Sequence, residues 1–118
     1  MCSSDLVGAG TGFGMLKEAL QCYLMQRLMP EGVTLTPAHL LYLATRAGAE
    51  VLGLEAEIGD FTPGKSADFV CLRAPKGSVL EAALARAEGP ERILSVLLTL
   101  ASAESVAEVR VRGRVVYG

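Results

Sequence analysis

Apolar positions recur at helical spacing through most of this chain and at strand spacing near its end. In MLKEALQCYLMQRLM, residues 15–29, Leu16, Ala19, Leu20, Tyr23, Leu24 and Arg27 share one side and Lys17, Glu18 and Gln21 the other, which predicts an amphipathic helix ending before Pro30 and Gly32. A second helix is expected in LTPAHLLYLATRAGAEVLGL. Thr36 suits its N-cap and Pro37 its first turn; Leu40, Ala44, Ala47 and Val51 share a face, and Gly53 supplies the stop. ADFVCLRAP reads as a strand over residues 68–73 between glycine and proline punctuation. Ser78 with Glu81 makes a capping-box pattern opening a helix that runs to Gly89. Pro90 then starts another helix, PERILSVLLTLAS, with Ile93, Leu94, Leu97, Leu98 and Ala101 inward. The tail EVRVRGRVVYG alternates Val109 and Val111 with Arg110 and Arg112, turns near Gly113 and returns through Val115 to Tyr117 as a hairpin. The chain therefore reads as four helices with a short strand and a C-terminal β-hairpin, of α/β or α+β class, with no internal repeat or clear linker.

Composition narrows what such a chain can do. With 118 residues, 51% of them hydrophobic and 20% charged, it is globular, but having no Trp it must build its core from Ala, Leu and Val. The most apolar run, ILSVLLTLA, is too short to cross a bilayer, so no membrane partner is expected. A formal charge of −2 argues against nucleic acid and for neutral or small-molecule ligands. Cys2, Cys22 and Cys71 are odd in number and form no CxxC pair, which fits idle thiols in a reducing compartment; MCSSDL shows no signal-peptide pattern, and a cytoplasmic location is expected.

One motif invites a nucleotide reading. GDFTPGKS, residues 59–66, has the glycine, Lys and Ser spacing of a phosphate loop. Such a loop needs a strand before it and a helix after it, and here a helix precedes and a strand follows. Pro63 removes a backbone donor and Asp60 sets a negative charge where phosphate would lie. The stretch is expected to be a turn feeding a strand.

That turn carries a resemblance. LYLATRAGAEVLGLEAEIGDFTPGKSADFVCL is similar to the C-terminal signature of the amidohydrolase superfamily, in which a helix with an Ala-Thr and a Gly-Ala step leads into an IG…PGK.ADFV turn and strand. VGAGTGFGML, the LTPAHLLYLAT helix and the closing VAEVRVRGRVVYG most resemble the guanine deaminase branch, so the likeness runs from Val7 to Gly118. It implies the C-terminal piece of a metal-dependent (β/α)8 barrel hydrolase with a small β-domain built from both chain ends. Residues 1–52 would end the barrel, and residues 53–118 would form part of the small domain with inserted helices. The implied parent reaction is deamination of guanine to xanthine and ammonia, with a zinc or iron ion acidifying the attacking water and carboxylates moving its protons.

A catalytic zinc takes about three protein ligands, mostly His. This chain has one His and no HxH pair, so by itself it is expected to be inactive and to hold no cofactor. The family's metal-binding Asp directly precedes a segment like VGAGT; here that position is Leu6 and Asp5 lies one residue early, facing the other way in an extended strand. CSSDL reads as foreign sequence, residues 1–6, joined to a family segment that begins at Val7. Gly8, Gly10 and Thr11, with Gly12 and Gly14, would shape a loop over a substrate pocket at the barrel mouth.

Other residues are expected to be structural. His39, in the first turn of a helix, is read as a surface or packing residue; Lys65 and Asp68 as an ion pair across the turn; Arg110, Arg112 and Arg114 as one solvated basic stripe. If the first helix normally packs on absent strands, its apolar side is open and favours self-association. The rival function, from another class, is a standalone non-catalytic module that binds a partner through that helix.

Overall fold

A computed structural model describes residues 14–118. Helix α1 spans Met15–Leu28, α2 Pro37–Ala44, α3 Arg46–Leu52, α4 Val79–Leu84 and α5 Gly89–Leu100; strands β1 (Phe69–Leu72), β2 (Val106–Val111) and β3 (Arg114–Tyr117) form one antiparallel sheet in the order β1-β2-β3. The expected four helices are present, the second of them divided at Thr45.

That division corrects the expectation of one uninterrupted helix. Thr45 adopts φ −130° and ψ −87°, its N–H reaches back only to Tyr42 O, and its hydroxyl donates to Leu41 O at 2.7 Å. A threonine that bonds its own preceding turn competes with the helical ladder and bends it. In consequence Leu40, Ala44, Ala47 and Val51 do not share an inward face. Leu40 is buried in α2, whereas Val51 is 84% exposed at the end of α3. The N-cap itself forms as anticipated, with Thr36 Oγ accepting from His39 N–H at 3.3 Å, and Gly53 closes α3 in the left-handed conformation.

The core lies where three helices meet. Ala19 of α1, Leu40 of α2 and Leu98 of α5 are buried together, with Leu16, Cys22, Tyr23, Leu35 and Leu94 packed around them. Helix α5 touches α1, α2 and α4. Leu24, placed by spacing on the inward face of α1, is instead 48% exposed, and Ile93 of α5 is 40% exposed. Leu24, Met25 and Leu28 make a second apolar stripe on α1, away from the side that Ala19 buries. A helix apolar on two sides is built to lie between two layers, and only one is present among the described residues.

Helix α4 is shorter than expected. It ends at Leu84, and residues 85–87 continue as turns closed by Arg86 N–H to Ala83 O and Ala87 N–H to Leu84 O. Its start follows the capping pattern, with Glu81 N–H on Ser78 Oγ at 3.1 Å and the Glu81 carboxylate accepting from Gly77 N–H at 2.6 Å. The hairpin turns through Arg112 and Gly113, with φ +51° and +74°, the mirror-image two-residue turn whose twist matches the strands it joins. Among the described residues no helix lays a face broadly on the sheet, and none is long and apolar enough to cross a membrane.

Candidate functional site

The densest polar constellation surrounds GDFTPGKS, between α3 and β1. Gly59 sits at φ +99° against α3, so close that a Cβ there would stand 2.8 Å from Ala49 Cβ and 3.2 Å from Arg46 Cα. This contact places Asp60 beside the helix. One Asp60 oxygen accepts from Arg46 Nη1 at 2.7 Å and from Lys65 Nζ at 2.9 Å; the other accepts from the Thr62 N–H at 2.9 Å. The Lys65 ammonium, then the Thr62 groups, hold the Asp60 carboxyl well below the usual carboxylate range.

A second carboxylate extends the network. Glu50 accepts from Tyr42 Oη at 2.6 Å and from Arg46 Nε at 2.9 Å, and these two bonds, Tyr42 first, lower its pKa. The same bond to Glu50 raises the Tyr42 phenol, which loses its proton less readily beside an anion. Beyond the turn, Asp68 accepts from the Ser66 hydroxyl and from the Arg112 backbone N–H, while Gly113 N–H reaches Ala67 O at 2.9 Å. The loop is thus tied to α2 and α3 at one end and to the hairpin turn at the other.

This corrects the pairing expected from sequence. Lys65 bonds Asp60, not Asp68, because the turn folds its side chain back toward α3, where it is only 11% exposed. With Arg46 and Lys65 both committed to Asp60, the loop offers no free cation to a phosphate, in keeping with the rejection of a nucleotide site. Asp60, saturated by two cations and an amide, is equally unsuited to take a proton from a substrate. The constellation is a brace.

The other sequence candidates separate clearly. Asp5, Gly8, Gly10, Thr11 and Gly12 lie outside the described residues; Gly14 is the N-cap of α1 and makes no side-chain bond there. His39 is exposed and its Nδ1 accepts the Thr36 N–H at 3.2 Å, completing a capping box as a surface residue would. Arg110, Arg112 and Arg114 do not line one face. Arg110 pairs with Glu108 and lies over the Phe69 ring, Arg112 occupies the turn, and Arg114 stands opposite Val111. The two-residue turn breaks the alternation that the stripe assumed.

Among the described residues no group of three or more His, Cys, Asp or Glu side chains is placed to hold a metal ion, so this part of the chain does not fit a catalytic metal. An open depression of about 230 Å³, lined by residues such as Tyr23, Arg27 and Val33, is smaller than an ordinary ligand site. The described residues therefore frame a scaffold, and its kinship decides what it scaffolds.

The amidohydrolase family profile matches residues 1–116, and the chain belongs to that family. It is 55% identical over 112 residues to a protein of Deinococcus radiodurans named "Probable guanine deaminase" and 36% identical over 111 residues to the guanine deaminase of Escherichia coli. Each alignment covers 94% of this chain but only 26% and 25% of the relative. A 5-methylthioadenosine/S-adenosylhomocysteine deaminase of Bacillus cytotoxicus is 30% identical over 113 residues. Among solved structures, the E. coli guanine deaminase superposes with a TM-score of 0.84 over 94% of this chain and 26% of its own. The guanine deaminase of Bradyrhizobium japonicum, at 23% identity and a TM-score of 0.73, shares the fold. The chain spans about a quarter of the length of these relatives.

Proposed function

We propose that the chain is the C-terminal quarter of a guanine deaminase-like amidohydrolase whose parent hydrolyses guanine to xanthine and ammonia, and that the quarter alone is inactive. The observation that carries this reading is the 55% identity sustained over 94% of the chain to a probable guanine deaminase, against 30% to the methylthioadenosine-type relative. Residues 1–52 would complete a (β/α)8 barrel and residues 53–118 would contribute to a small β-domain. Gly8, Gly10 and Thr11 would shape the substrate loop, and Asp5 would stand one position from the family's metal-binding Asp. The parent would use zinc or iron to acidify a water, with the ligands supplied from outside the described residues. The parent would act in purine degradation, and a cysteine pattern without a CxxC pair favours the cytoplasm as its place.

A host swap tests the reading. Residues 7–118 are grafted in place of the matching segment of the E. coli guanine deaminase and, separately, of the B. cytotoxicus deaminase, and release of ammonia from each host's own substrate is followed. Activity is expected in the guanine deaminase host with about one metal ion per chain, little in the other host, and none from the chain alone. Guanine turnover by the chain alone, or equal activity in both hosts, would refute it.

A further inference from the structure

We draw no further inference here: the strongest candidate, the exposed apolar stripe of Leu24, Met25 and Leu28 on α1, lies open among the described residues, and nothing in the structure shows what covers it.

Discussion

At the scale of single residues, Asp60 is the informative one. Its folded pKa is depressed below the ordinary 3.8 by Lys65 and the Thr62 groups, so its contribution to stability is complete above that value and is lost as the pH falls through and beneath it. The urea midpoint of the native chain should therefore drop as the pH is lowered from about 5 to about 2, and the drop should be shallower in Asp60→Asn. Parallel pH profiles for the two would mean that the exposed side of the network screens it to nothing. The residues of this brace were only partly legible in advance. Arg46 and Glu50 stand four apart on a helix, a spacing that announces a pair, but Arg46 and Asp60 are fourteen apart and meet only because Gly59 lets the loop press on α3. Lys65 was visible as a partner in search of an anion, and sequence proximity pointed to the wrong one.

Elements add what residues cannot. The loop of residues 59–66 is positioned by close packing as well as by its hydrogen bonds, and Gly59 and Gly64 separate the packing from the backbone strain. Both have strongly positive φ, +99° and +97°, but only Gly59 faces a wall; the space around Gly64 is open. Gly64→Ala should cost about 1 to 2 kcal/mol, the strain of a left-handed alanine. Gly59→Ala should cost about 2 to 4 kcal/mol, because the added methyl must also displace α3. Denaturant midpoints of the two variants decide it, and equal losses would show that the loop is not pressed on the helix. The helices themselves were legible from caps and periodicity: Thr36, Pro37, Gly53, Ser78 and Pro90 mark starts and stops where they were expected. The break at Thr45 was not, since a threonine bonding back to Leu41 O leaves no trace in a hydrophobic pattern.

For the whole molecule, the balance between buried and exposed apolar surface is the controlling fact. Among the described residues five hydrophobic side chains are buried, Ala19, Leu40, Ala49, Leu80 and Leu98, while nineteen large ones are exposed. Burial on this scale stabilises far less than a domain of this length ordinarily gains. Urea unfolding of the isolated chain should accordingly give less than about 5 kcal/mol, with strong binding of a hydrophobic dye to the folded state. A cooperative transition above that figure without dye binding would show that the exposed surface is covered in solution.

Sequence alone determined the kinds and order of the elements, most of their caps, the hairpin and the family signature in IGDFTPGKSADFV, because each depends on spacing over a few residues. It also excluded a phosphate loop, since the order of helix and strand around GDFTPGKS is a local property. The pairing of β1 with β2 across some forty residues, the choice of Asp60 over Asp68 as the partner of Lys65 and the division at Thr45 belong to the tertiary structure. They depend on which surfaces meet in space, and loop closure and packing between distant segments leave no periodic mark on the chain that makes them.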